Sequence, residues 1–211
     1  RQLRDYYGDQ STISAAQYNL GIIARYRRWF TLAKEAFNTA LWRNPENPLL
    51  HYAMGTIHSQ EKRFNQAQKR FEKTLTVQAN FAYIYKSLGD IYYQQKLFEE
   101  AIQAYQTYLT HVPEDIQTCL LLGIMYEEQG QNEQALTAYQ SCLEFEPEHA
   151  LVLNQLAWFY AEQGQELDTA LTLGQKAAEL QNSPGIIDTL GWVLYKRGEY
   201  DDALARFQQA L

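Results

Sequence analysis

Residues 87–109 read SLGDIYYQQKLFEEAIQAYQTYL, and two later stretches overlie them without a gap: LLGIMYEEQGQNEQALTAYQSCL at 121–143 and TLGWVLYKRGEYDDALARFQQAL at 189–211. The third residue of each is glycine. Worked outward, this mark recurs as Gly21, Gly55, Gly89, Gly123, Ala157 and Gly191, always 34 residues on, with a Leu or Met before it. A second mark is alanine, at Ala33, Ala67, Ala101, Ala135 and Ala203. A third is a large residue four further on: Phe37, Phe71, Tyr105, Tyr139 and Phe207. A fixed period of this size decides the architecture before any local propensity does.

Within each unit the marks fall at intervals of three, four and seven, which is the spacing of a helix with one buried stripe. The pattern occurs twice per unit, on either side of a short turn, so each unit is expected to be a helical hairpin. The small register residue is expected to face the alanine of the second mark, letting the two helices approach. A leucine at Gly89 or Gly123 would pry the hairpin open. Pro45, Pro113 and Pro147 close units where a helix must stop.

The pattern resembles the tetratricopeptide repeat, with its W-x2-L-G-x2-Y, A-x3-F, P framework. The resemblance implies an all-α fold, a right-handed superhelical solenoid of helix-turn-helix hairpins. Six units fit: 14–47, 48–81, 82–115, 116–149, 150–183 and 184–211, preceded by an N-terminal helical segment at 1–13. The framework tryptophan is replaced throughout, by Gln17, His51, Tyr85, Cys119, Leu153 and Ile187. The fifth unit carries one extra residue in its turn, which moves its alanine to Ala170, and one fewer before Pro184. Gly174 stands in its aromatic slot, so looser packing is expected there. The sequence stops inside the second helix of the last hairpin. A solenoid needs a cover on that face, so the natural protein is expected to continue or to self-associate there.

Composition narrows the function. Apolar residues make up 46%, and no apolar run reaches the roughly 18 residues of a membrane span, so direct membrane insertion is not expected. A net charge of −7 argues against nucleic acid as a partner. The charge is uneven: residues 1–81 hold twelve Lys/Arg against six Asp/Glu, and residues 82–211 hold six against nineteen. Cys119 and Cys142 are too few for a disulfide framework and lack zinc spacing, so they read as small core residues.

No phosphate loop, dinucleotide fingerprint, nucleophile elbow or HExxH motif is present, and the chain reads as non-enzymatic, with no cofactor and no metal. His51 and His58 occupy core slots that Tyr85 and Tyr92 fill in the next unit, and read as packed core histidines. Carboxylate pairs such as Glu127 and Glu128, or Asp201 and Asp202, fall on helix faces expected to be solvated. Arg25–Phe30, RYRRWF, mixes basic and aromatic residues as a nucleic-acid or membrane patch would. Phe30 shares the turn slot of Phe64, Phe98 and Tyr200, which favours a structural role for the aromatic.

By resemblance to the family, one stripe of the first helices lines a concave groove. Its positions include Tyr52, Tyr83, Lys86, Asp90, Tyr93, Leu120, Ile124, Glu127, Asn154, Trp158, Asp188, Trp192 and Tyr195. More than half of the stripe is apolar or aromatic, where a solvated helix face would be polar. Trp158 and Trp192, one period apart, read equally well as binding anchors or as a pair that stiffens the curve. The family's carboxylate clamp is missing, since the matching positions hold Lys86, Asp90, Leu121, Leu151 and Gln155. The partner expected is a protein or peptide with apolar anchors and basic residues to meet Asp90, Glu127, Glu128, Glu162 and Asp188. The function expected is a binding scaffold or adaptor; the alternative is the recruiting arm of a larger enzyme. The pair LNQLAWFYAEQGQELDTAL and IIDTLGWVLYKRGEYDDAL looks like the last repeats of bacterial proteins serving envelope, pilus or polysaccharide-export assembly. The compartment, envelope or cytoplasm, stays open.

Overall fold

The computed structural model describes residues 17–211; the segment expected at 1–13 lies outside them. A helix over residues 17–26 (α1) is followed by α2 (Phe30–Arg43), α3 (Pro48–Gln60), α4 (Phe64–Val77), α5 (Tyr83–Gln94), α6 (Phe98–Leu109), α7 (Ile116–Glu128), α8 (Asn132–Phe145), α9 (Ala150–Gln163), α10 (Leu167–Leu180), α11 (Pro184–Arg197) and α12 (Tyr200–Ala210). No strand occurs among the described residues. The chain divides into two compact units, between Ala104 and Tyr105.

The ends of the helices are chemically explained. Pro48 and Pro184 open α3 and α11, where a missing N–H costs nothing. Asn47 caps α3, its Oδ1 accepting from the N–H groups of Leu49 and Leu50 at 3.0 and 3.3 Å. Asp115 caps α7 by accepting from the Thr118 N–H at 3.1 Å, and its other oxygen accepts from the buried Tyr108 hydroxyl at 2.9 Å. Between the helices of each hairpin a left-handed residue keeps the period too: Arg28, Lys62, Lys96, Gly130, Gly164 and Gly198, with Glu166 added in the fifth.

In the first unit Phe37 is buried with Ala33, Ala40, Leu50 and Ile57, and Phe71 with Ala67, Ile84 and Ile91. These rings explain the register glycine, and they correct the expectation that it faces alanine. A Cβ on Gly21 would lie 2.3 Å from Phe37 Cε1, one on Gly55 2.3 Å from Phe71 Cε1, and one on Gly123 2.4 Å from Tyr139 Cε1. The third mark packs flat on the first, and any side chain there would occupy the ring's place.

The fifth hairpin departs from this rule twice, and the departures compensate. Its register residue is Ala157 and its ring slot is Gly174; both are buried. A Cβ on Gly174 would meet Leu190 Cδ1 at 3.3 Å and Ala157 Cβ at 3.8 Å. Packing at Gly174 is therefore close rather than loose: Leu190 of the next helix takes up the room the missing ring leaves. The added turn residue is visible too, as left-handed Glu166 after left-handed Gly164.

Cys119 and Cys142 are core residues, as expected, but the structure also joins them in a disulfide, Cα to Cα 5.8 Å, linking α7 to α8. Counting cysteines could not reveal this. The two positions face each other only once the hairpin closes, 23 residues apart in sequence.

Candidate functional site

The groove positions fall on first helices in both units. In the first unit Tyr52 is half-buried, its ring 5.8 Å from Phe71 and 5.0 Å from Phe81, and its hydroxyl 3.3 Å from Ser87 Oγ. Tyr83 and Tyr93 are more open, 52% and 39% exposed, and each touches a neighbouring ring, Phe81 and Phe98 respectively. Lys86 is half-buried and Asp90 exposed.

In the second unit the aromatics form a ladder. Trp158 stacks on Trp192 (centroids 5.8 Å, planes 24° apart), Trp192 on Tyr195 (5.2 Å, 20°), and Tyr195 leans on Tyr200 at 5.6 Å. Trp192 is anchored at its polar edge: its N–H donates to Glu162 at 2.6 Å, and the Lys196 ammonium lies 5.0 Å from its ring and 3.4 Å from the same carboxylate. The tryptophans do pack on each other, and Tyr195 and Tyr200 stay 47% and 63% exposed at the end of the ladder. Leu120 packs against the core, and Ile124 is half-buried.

Two acidic positions are less available than expected. Glu127 is half-buried rather than solvated, accepting from the Tyr139 hydroxyl at 2.7 Å and from Gln155 at 3.1 Å. Burial, reinforced by this carboxylate, pushes the Tyr139 phenol far above its ordinary range. Glu162 is engaged by Trp192 and Lys196. Glu128 and Asp188 remain exposed. Asn154 is notable for the opposite reason: its Oδ1 is buried and accepts no hydrogen bond. A buried acceptor without a donor is unfavourable in the free protein.

Tetratricopeptide repeat models match residues 52–116, 116–149, 138–172 and 185–211. The chain belongs to the tetratricopeptide repeat family. Among solved tetratricopeptide structures it is similar to PilF of Pseudomonas aeruginosa, at 20% identity over 95% of this chain and 91% of that one, with a TM-score of 0.75. It is similar to YrrB, described as having an unusual peptide-binding site, at 20% identity over 83% and 90%, TM-score 0.68. MamA of Desulfovibrio magneticus RS-1 aligns at 20% identity over 80% and 94%, TM-score 0.64. At these identities the likeness speaks for the tetratricopeptide fold alone. No curated protein matches the sequence.

Histidine chemistry follows the packing. His51 is buried, with Nε2 2.8 Å from the Pro45 carbonyl and Nδ1 3.3 Å from Arg70, so a proton on Nε2 satisfies both. His58 lies 3.8 Å from Glu61, and burial lowers its pKa below the ordinary 6.5. No cluster of three or more metal-ligating side chains occurs among the described residues, and no helix there is long and apolar enough to cross a membrane.

The sequence reading missed three features. Tyr200, a turn residue, extends the aromatic ladder; Glu162 clamps Trp192; and a cavity of about 740 Å³ opens beside the second helices, lined by Leu109, Pro113, Leu122, Tyr126, Ala138 and Phe145. The first was legible in part, because Tyr200 lies five residues after Tyr195 across a tight turn. The others depend on rotamers and on spacing between neighbouring helices.

Proposed function

We propose that this tetratricopeptide chain is a non-catalytic scaffold that holds a protein or peptide on its first-helix faces. The observation carrying this reading is the ladder Trp158–Trp192–Tyr195–Tyr200, a run of large rings seated at Trp192 on the core and open to solvent at its Tyr195–Tyr200 end. Aromatic side chains dominate binding energy where they stay accessible. Tyr83 and Tyr93 supply a smaller counterpart in the first unit. Glu128 and Asp188 favour basic residues beside the partner's apolar anchors.

A bacterial envelope, pilus or export setting is part of the same proposal, supported by the repeat subtype of the last two units. A larger enzyme using the chain as its recruiting arm is the alternative. The outer face of α12, where Leu204 is 57% exposed, is a further candidate contact for a second copy of the chain.

The test is quantitative capture of partners from the native source by wild type, Tyr83→Ala/Tyr93→Ala, Tyr93→Ala/Ile124→Ala and Trp158→Ala/Tyr195→Ala, with helicity checked by circular dichroism. Each anchor removed is expected to weaken the specific partner by about 1–3 kcal/mol. Identical partner lists and yields from all four would place the binding surface elsewhere, with the 740 Å³ cavity beside α8 as the next target.

A further inference from the structure

The left-handed turn positions divide by chemistry. In the second unit they are Gly130, Gly164 and Gly198, the residue for which this backbone region is unstrained. In the first unit they are Arg28, Lys62 and Lys96, at φ of 59°, 59° and 61°. A long side chain there is strained, and strain that recurs at three equivalent turns calls for a use. All three cations are exposed, and Arg27 and Arg63 stand beside them. Glu61 is already engaged by Lys34 at 2.7 Å and by Arg63 at 3.5 Å, while Glu99 and Glu100 stand exposed in the first turn of α6, after Lys96. Because the hairpins stack in register, their turns form one row along an edge of the first unit. Gln60, at the approach to the second turn, lines a cavity of about 390 Å³ together with Arg25, Tyr26 and Arg28 of the first.

That cavity is built for an anion. Arg25 Nε is buried and has no hydrogen-bond partner, with Arg28 and the Gln60 amide beside it. Next to it Tyr26 is 81% exposed, Trp29 58% and, at the third turn, Leu97 39%. Phe30, by contrast, packs against the core as its turn slot requires. The patch therefore combines guanidinium and ammonium groups with amphipathic rings and an aliphatic side chain.

We propose that this turn edge docks on an anionic phospholipid surface, with one headgroup phosphate held at Arg25 and Arg28 and with Trp29 and Tyr26 at the level of the headgroups. Three observations favour a lipid surface over a nucleic acid. The cations are exposed on three successive turns, an array that fits a plane rather than a strand followed along a groove. The free rings, Tyr26 and Trp29, are beside the first turn, and at the third turn Tyr93 leans edge-on against Phe98 instead of standing free to stack on a base. Leu97 offers nothing for a base to stack on, whereas an aliphatic beside cations and tryptophan is interfacial composition. Arg25 and Tyr26 stand at the end of α1, Arg25 in the register of Tyr93 and Tyr195, so this edge begins where the first-helix face of the first hairpin ends; the lipid proposal rests on the turn cations and not on the aromatic ladder of the second unit.

The experiment is co-sedimentation of the full chain with vesicles of equal parts phosphatidylglycerol and phosphatidylcholine, and with phosphatidylcholine alone. Binding is expected to the anionic vesicles only and to weaken as salt rises. The variant Arg28→Gly/Lys62→Gly/Lys96→Gly separates charge from folding, because glycine relieves the turn strain. It is expected to melt no lower than wild type while losing roughly fivefold in affinity for each cation removed. Arg25→Gln tests the phosphate cavity and is expected to weaken vesicle binding as well. Absence of binding to anionic vesicles at low salt overturns the proposal, as does unchanged binding by the triple glycine variant. Tighter binding to single-stranded oligothymidylate than to vesicles would reassign the edge to nucleic acid. Binding of inorganic phosphate as tight as that of vesicles would reassign it to a free anion.

Discussion

Gly123 is where one residue's chemistry is most exposed to test. Its missing Cβ is the space in which the Tyr139 ring lies, and that ring's hydroxyl donates to Glu127. Gly123→Ala is expected to cost about 1–3 kcal/mol by overpacking, measured by urea unfolding. Gly174→Ala should cost less, because only the end of Leu190 stands in the way, at 3.3 Å. His58 supplies a residue-scale pH effect. Burial lowers its folded pKa, so protonation favours the unfolded chain; its contribution to stability is complete above the unfolded value near 6.5 and is lost as pH falls from there through the lowered folded value. The slope of stability between about pH 7 and pH 5 should flatten in His58→Gln. Glu61, whose pKa is lowered chiefly by its hydrogen bond from Lys34, loses its own contribution only at more acid pH, but its charge raises the His58 pKa against burial, so Glu61→Gln should steepen the His58 slope. The period marked glycine and histidine as special positions. Which ring fills the glycine's space, and which carboxylate faces the histidine, are matters of rotamer.

The fourth and fifth hairpins show how helices are matched to one another. In the fourth, the disulfide closes a loop whose ends are 23 residues apart, α7 to α8. Closure on that scale is worth roughly 3 kcal/mol. Reduction with dithiothreitol, or Cys119→Ser/Cys142→Ser, should lower the thermal midpoint by several degrees and leave the helical signal at room temperature intact. An unchanged midpoint would mean the pair contributes as packed thiols only. In the fifth, Ala157 and Gly174 exchange the roles of small and large residue, and Leu190 from the next hairpin completes the fit. The aromatic slot was legible in the sequence, and so was its vacancy. That a leucine 16 residues on would fill it was not, because the rule concerns contacts within a hairpin and the answer came from its neighbour.

At the scale of the molecule, stability in stacked hairpins is approximately a sum of local terms and nearest-neighbour contacts. A core lesion should therefore act locally. Gly55→Leu, which drives a side chain into Phe71, is expected to raise hydrogen exchange in α3 and α4 while α9 to α12 keep their protection. Uniform loss of protection along the chain would show the two compact units to unfold as one. The charge difference between the two parts of the sequence also becomes structural at this scale. It places cations on left-handed turns in the first unit and glycines in the second.

The sequence alone determined the helical hairpins, their period and their core, because a 34-residue return of small and large residues has one packing solution. It also determined which residues lie on the first-helix faces, since that follows from helical phase. Tertiary structure decided what those faces are like. Trp158, Trp192 and Tyr195 become a ladder, Glu127 turns inward to the Tyr139 hydroxyl, Glu162 accepts from the edge of Trp192, and Cys119 meets Cys142. The physical reason is range: phase and period are set by neighbours three or four positions away, whereas stacking, buried hydrogen bonds and disulfides depend on side chains some 20 to 35 residues apart arriving within a few ångströms of each other.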